Sequence, residues 1–231
     1  MAEAFSGDVW RSRYLEVSPR LSYEDVLRQA LEYEQNAKEY PETSEGRDGE
    51  KFARQFVEDV WGSPKALQAG KYGDHILKSD VVLRLPEAGT FAALQVSVAD
   101  PGTMEGHARW DDKKIYLARN PAPYVGALVP PEIRSQLTEK LARERAPILP
   151  FFVPNAVLRE ARPAAQIHKC GKLTEHIEPS MRRFISFLNT EHIKRYIDLL
   201  GDISDDEEAV KAFDRCRQWL NEASLLARQI H

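Results

Sequence analysis

One stretch of this chain constrains its fold more than any other, the segment Asp74 to Asp100, DHILKSDVVLRLPEAGTFAALQVSVAD. In its first half His75, Leu77, Ser79, Val81, Leu83 and Leu85 share one parity, and Ile76, Lys78, Asp80, Val82 and Arg84 share the other. In its second half Leu94, Val96 and Val98 alternate with Phe91, Ala93, Gln95 and Ser97. Period-two alternation marks half-buried strands. Between the halves, Pro86-Glu87-Ala88-Gly89 supplies a proline to start a turn and a glycine able to take positive φ. A hairpin is therefore expected, with Leu85 opposite Thr90 and cross-strand partners summing to 175. That register sets Val81 against Leu94, Leu83 against Ala92, Asp80 against Gln95 and Lys78 against Ser97. A slip of one residue would set polar rows against apolar ones.

Around this hairpin the pattern is mostly helical. Leu21-Ser22-Tyr23-Glu24-Asp25 reads as a capped helix start, with Ser22 as the cap and a helix running to Tyr40-Pro41. A second helix is expected from Gly49 to Trp61, with Phe52, Ala53, Phe56, Val57, Val60 and Trp61 as its apolar stripe and Gly62 as its stop. Glu50 lies at the margin of that stripe, and Glu58 and Asp59 are expected to face water. Ser63 to Gly73 reads as a loop. Lys114 to Arg119 reads as a strand, Pro131 to Arg145 as a helix through Ile133, Leu137 and Leu141, and the proline-bounded run Pro147 to Pro154 as a buried or edge strand. Beyond Ala164 the chain turns helical. Pro179 opens one helix through Leu188, Thr190 caps a second ending at Gly201, and Ser204-Asp205-Asp206-Glu207 caps a third that buries Ala209, Phe213, Cys216 and Leu220 beside Trp219 and Leu226.

These elements predict an α/β protein with a mixed central β-sheet flanked by helices and a C-terminal helical region. The expected division is an N-terminal arm and helix over 1–44, an α/β core over 45–160 and the helical region over 161–231. That last region is either a bundle packed on the sheet or an element for homo-oligomers or a protein partner. The 231 residues suffice for a substantial core. No stretch is long and apolar enough to span a membrane, no apolar N-terminal leader is present, and two cysteines point to a cytoplasmic setting.

Charge is uneven. Residues 1–60 hold eight Lys or Arg against fourteen Asp or Glu, whereas residues 131–195 hold twelve against seven. The basic half suits an anionic partner. Lys172, Arg182 and Arg183, with Lys169, Lys194 and Arg195, are the candidates for phosphate contacts, and Trp110, Tyr116 and Tyr124 for base stacking; solvated charges and core aromatics are the competing reading. His168, Cys170 and His176, joined by Cys216 or His192, offer nitrogen and sulfur ligands at a spacing that matches no common zinc pattern. No phosphate-binding glycine loop and no G-x-S-x-G element occurs.

Helix, hairpin, helix, strand, with Glu50 on the first helix, Ser79-Asp80 on one strand and Gln95-Val96-Ser97 on the next, resembles the PD-(D/E)XK nucleases of the restriction-endonuclease-like class. The resemblance covers about residues 45 to 155. It implies a nucleic-acid-acting protein, a divalent-metal phosphodiesterase holding Mg2+ or Mn2+ through Asp80 and Gln95, assisted by Glu50. Gln95 stands where the family has an acid, and Ser97 where it has lysine. Lys78, opposite Ser97 in the register above, is the expected replacement for that lysine. A catalytically inactive subunit of the same fold, serving nucleic-acid binding or protein assembly, is the alternative.

Overall fold

The computed structural model describes residues 21–36, 44–87, 89–99, 122–167, 172–204 and 206–230. Its centre is a mixed four-stranded sheet in the order β1-β2-β3-β4, built from β1 (Lys65–Gln68), β2 (Val81–Arg84), β3 (Phe91–Val98) and β4 (Ile148–Val153). The first three strands are antiparallel neighbours, and β4 runs parallel to β3. The hairpin keeps the expected register, with Val81 opposite Leu94, Val82 opposite Ala93 and Leu83 opposite Ala92. Leu85 N–H donates to Thr90 O at 2.9 Å, and Gly89 takes φ +80° to close the turn.

Among the described residues two helices precede the sheet. Helix α1 (Tyr23–Asn36) begins as its sequence dictates: Asp25 N–H donates to Ser22 Oγ at 3.1 Å, and Ser22 Oγ–H to Asp25 Oδ2 at 2.8 Å. Helix α2 (Ser44–Asp59) starts earlier than Gly49 and ends before Gly62, whose φ is +68°. Its stripe is buried throughout, from Phe52 to Trp61. Gly49 lets α2 lie directly on β3, since a Cβ there would sit 2.5 Å from Val98 Cγ2. The helix therefore covers the face that carries Leu94, Val96 and Val98.

Residues 65–75 depart from the expected loop. They form β1 and a short helix α3 (Lys71–His75), so the first strand of the hairpin does not reach back to His75. Among the described residues between β3 and β4 are three one-turn helices, α4 (Val125–Leu128), α5 (Pro131–Arg134) and α6 (Glu139–Ala142), with two of them in place of one helix over 131–145. Thr138 restarts the chain by accepting from Leu141 N–H at 3.3 Å. The strand expected at Lys114 to Arg119 lies outside the described residues, as do His107 and Trp110.

Helix α7 (Asn155–Ile167) and a 3-10 turn (Leu173–His176) lead to two long antiparallel helices, α8 (Pro179–Ile203) and α9 (Glu207–Arg228). The expected break at Thr190 is absent. Its hydroxyl instead donates to Ser186 O at 2.8 Å, one turn back in the same helix. Asp206, rather than Ser204, caps α9 by accepting from Glu208 and Ala209 N–H.

The helical pair is fused to the sheet. Trp61 is fully buried between Phe151 and Trp219, at centroid separations of 5.4 and 5.5 Å. Its Nε1–H donates to Ser186 Oγ at 2.8 Å, while Trp219 Nε1–H donates to Trp61 O at 3.2 Å. One hydrophobic cluster runs from Ala30 through the sheet to Ala227. Leu226, expected beside that core, is instead 45% exposed.

A candidate site at the end of the second strand

Asp80 stands where β2 begins, and the chain before it cannot be strand. Lys78 has φ +59°, the left-handed region that a non-glycine residue enters at a cost. Ser79 N–H turns back to Gly73 O at 2.9 Å instead of continuing the ladder. The turn follows from the packing of α3: a Cβ on Gly73 would lie 2.6 Å from Leu128 O, so this helix is held tightly against α4 and the chain must bend sharply to enter the sheet. Lys78 is therefore not a strand residue and does not pair with Ser97. The cross-strand position from which it was expected to replace a lysine at Ser97 does not exist.

Asp80 itself is integrated on both sides. Its N–H donates to Leu94 O at 2.8 Å, and its carbonyl accepts from Ala69 N–H at 3.0 Å. Where Ser79 would have met Val96, the Asp80 side chain does so instead: Val96 N–H donates to Asp80 Oδ2 at 2.5 Å. The same oxygen accepts Nε2–H of Gln95 at 2.6 Å. A carboxylate only accepts, so Gln95 must turn its amino group to Asp80 and its carbonyl oxygen away. The expected juxtaposition of Asp80 and Gln95 is thus present, with Asp80 only 9% exposed.

Next along the same face, Ser97 is 6% exposed and its Oγ is buried without a hydrogen-bond partner. Glu50 follows Gly49 on α2, which packs over Val98 on the opposite face from Gln95 and Ser97. Among the described residues no three His, Cys, Asp or Glu side chains stand close enough to share a metal ion. The structure brings Asp80 and Gln95 together, and Lys78 does not pair with Ser97 beside them.

The donor set does not fit a divalent ion between Asp80 and Gln95. Magnesium and manganese take oxygen ligands, favouring carboxylates. Here the oxygen facing Gln95 already receives two N–H donors, and Gln95 offers nitrogen on that side. An ion placed there would meet the positive ends of both N–H dipoles.

The three residues expected to meet phosphate are engaged within the fold. Lys172 Nζ lies 2.5 Å from Asp59 Oδ1, a hydrogen bond that raises the ammonium pKa. Arg182 Nε–H donates to Ile177 O at 3.0 Å, and Arg183 donates to Ile230 O. Tyr124 carries the Arg145 guanidinium 3.8 Å above its ring. Of the zinc candidates, His168 and Cys170 lie outside the described residues. Cys216 is fully buried, and burial pushes its thiol up to about 12, far from the thiolate a metal requires.

Several contacts carry no signature in the sequence. Asn189, buried in α8, accepts Phe152 N–H at 2.7 Å and returns an N–H to Phe152 O at 3.0 Å, so its amide takes the place of a fifth strand at the edge of β4. Glu58 Oε1 accepts Ala66 N–H at 2.7 Å at the opposite edge, and Asp59 also holds Thr174 Oγ1–H at 2.8 Å. Neither acid simply faces water. Glu34 and Arg134 form a two-pronged ion pair at 3.0 Å on each arm.

The class the geometry defines is an α/β protein with a mixed four-stranded sheet and a part-buried aspartate-glutamine pair at the start of its second strand. Comparison with protein-family models, curated proteins and solved structures finds no match to the chain.

Proposed function

We propose that this is a nuclease-like protein of the restriction-endonuclease-like class that has lost phosphodiester chemistry and acts by binding, as a subunit in protein assembly. The order of α2, the β2–β3 hairpin, the short helices and β4 supports the fold assignment. The observation that carries the functional reading is the Asp80 carboxylate closed by Gln95 Nε2–H and Val96 N–H. In the family resemblance this residue would hold an ion, and the ion would polarise a phosphate. Here it anchors two strands to each other.

Binding to protein rather than nucleic acid is supported by the surface. Lys172, Arg182 and Arg183 each bond to another residue of the chain. Among the described residues the three most exposed large apolar side chains, Phe187 at 62%, Leu225 at 57% and Phe184 at 52%, all belong to the α8–α9 pair. No helix of the described residues is long and apolar enough to cross a membrane.

The active reading, a Mg2+ or Mn2+ phosphodiesterase using Asp80, Gln95, Lys78 and Glu50 on nucleic acid, has the adjacency of Asp80 and Gln95 in its favour. Incubation with labelled single- and double-stranded DNA and RNA in either ion separates the two. The binding reading expects no cleavage above that of an Asp80→Asn variant. Cleavage that the substitution abolishes would establish the enzyme instead.

A further inference from the structure

We propose that the Gln95 carboxamide is a built-in replacement for a cation, and that it makes the Asp80 site independent of metal. This deepens the binding reading and rests on it. An aspartate 9% exposed needs its negative charge compensated. In a carboxylate pair that compensation comes from an ion lying between the two side chains. With glutamine at 95 it comes from the chain itself, in part through Nε2–H at 2.6 Å and the Val96 N–H at 2.5 Å, both on Oδ2.

The Val96 donor exists only because the β2 ladder stops at Asp80. Had Ser79 continued the strand, its backbone would have taken that N–H. The left-handed Lys78 and the Ser79-to-Gly73 hydrogen bond thus belong to the same device: they release one backbone donor and aim the carboxylate at it. Ser97 completes the picture. Its hydroxyl, buried two residues along on the same face, makes no bond to the pair. Gln95 is in this sense a positioning residue that holds Asp80, and Asp80 holds the β2–β3 junction.

One atom separates the two states of such a site. Gln95→Glu exchanges the Nε2 donor for an oxygen and sets two carboxylates at hydrogen-bond distance. That arrangement recreates a demand for a cation.

The test is Mn2+ binding, read by the paramagnetic resonance of free Mn2+ and by the thermal midpoint with chelator or Mn2+. It uses the full chain and its Asp80→Asn, Gln95→Glu and Gln95→Glu/Asp80→Asn variants. The wild type is expected to show the same midpoint in chelator and Mn2+. Gln95→Glu is expected to melt lower in chelator, to recover in Mn2+ and to bind the ion at least about tenfold more tightly than the wild type, an effect of the added ligand charge. The second substitution should remove that gain. Saturable Mn2+ binding by the wild type, lost in Asp80→Asn, overturns the proposal even if Gln95→Glu fails to fold. A folded Gln95→Glu that is as stable as wild type in chelator and indifferent to Mn2+ overturns it as well. A wild type that binds Mn2+ through Asp80 yet cleaves nothing would sink the amide's role and leave the binding reading standing.

Discussion

Replacing Asn189 by leucine isolates what the sheet edge is worth. In a parallel pair the backbone groups of alternate residues face the neighbouring strand, and the remainder face outward. On β4, Pro147 and Val153 bond to β3 through Ala93 and Ala99, so Ile148, Pro150 and Phe152 face away. Pro150 has no N–H to leave unpaired. Phe152 has both groups, and Asn189 satisfies both from a position with no solvent exposure.

Leucine has nearly the same reach and no polar atom. It strands a buried N–H and a buried C=O, each costing about 1–3 kcal/mol, and recovers about 1–2 kcal/mol through apolar burial. The third bond, to Ile185 O, matters less, because that carbonyl also serves the α8 ladder. The expected loss is about 3 kcal/mol. For a chain of this length that lowers the melting midpoint by about 6–12 °C. Urea unfolding followed by tryptophan fluorescence measures it directly, since Trp61 and Trp219 meet edge to face at the junction of sheet and helices. Asn189→Asp keeps the acceptor for Phe152 N–H but sets an oxygen against Phe152 O, and is expected to be at least as damaging at neutral pH. A loss below about 1 kcal/mol for Asn189→Leu, with the denaturant slope unchanged, would refute the edge argument.

Arg134→Met leaves Glu34, whose side chain is 8% exposed, without its guanidinium, and should cost about 3–5 kcal/mol by denaturation; adding Glu34→Leu should restore much of it. Lys78→Val should cost about 1–2 kcal/mol because a β-branched residue resists φ +59°, whereas Lys78→Gly should be neutral or slightly stabilising; equal effects would show that the left-handed turn is not strained. The Cys216 thiol, raised by burial to about 12 from an ordinary value near 9, favours the folded state fully below pH 9, and that contribution is lost as pH climbs toward 12. Cys216→Ala should therefore flatten the alkaline limb of a stability-against-pH curve, and native protein should resist thiol labelling at Cys216 at pH 8. Glu58→Gln, which keeps an acceptor for Ala66 N–H, should be more stable than Glu58→Leu by about 1–3 kcal/mol.

What could be read from the sequence was what local rules decide. The hairpin register followed from alternation plus a Pro–Gly turn, and every observed pair of β2 with β3 obeys it. The Ser22 cap and the α2 stripe ending at Gly62 followed from spacing of three and four. The failures lie where tertiary contacts overrule a local signal. Lys65–Gln68 is only four residues long, with a burial pattern that mixes exposed and buried positions, and it is a strand because β2 offers it an edge. Thr190 looks like a cap, but α8 must continue through it, because Asn189 reaches Phe152 from mid-helix. Lys78 alternates correctly with its neighbours, and nothing in that pattern shows that α3 packs too tightly on α4 for the strand to extend. The Asp80–Gln95 contact was legible as a pair; its sense, donor to acceptor in place of two ligands, follows from the bonds.

The two sheet edges bear on how such a protein would meet a partner. Open edges recruit strands, and many complexes form by adding one. Here β4 presents Pro150, which cannot donate, and Phe152, which Asn189 already satisfies. At the other edge, β1 has its Ala66 N–H taken by Glu58, a residue of the helix lying over the sheet. A strand docking at either edge would first have to displace a side chain that compensates a backbone group, at a cost comparable to the bond it gained. Helix-to-helix contact carries no such cost, because the α8–α9 pair has satisfied its backbone internally and still exposes Phe184, Phe187 and Leu225. The same economy governs Asp80: a carboxylate able to take an outside ligand is bonded by a side chain of the fold, which is why the binding reading places the working surface on the helices and not at the sheet.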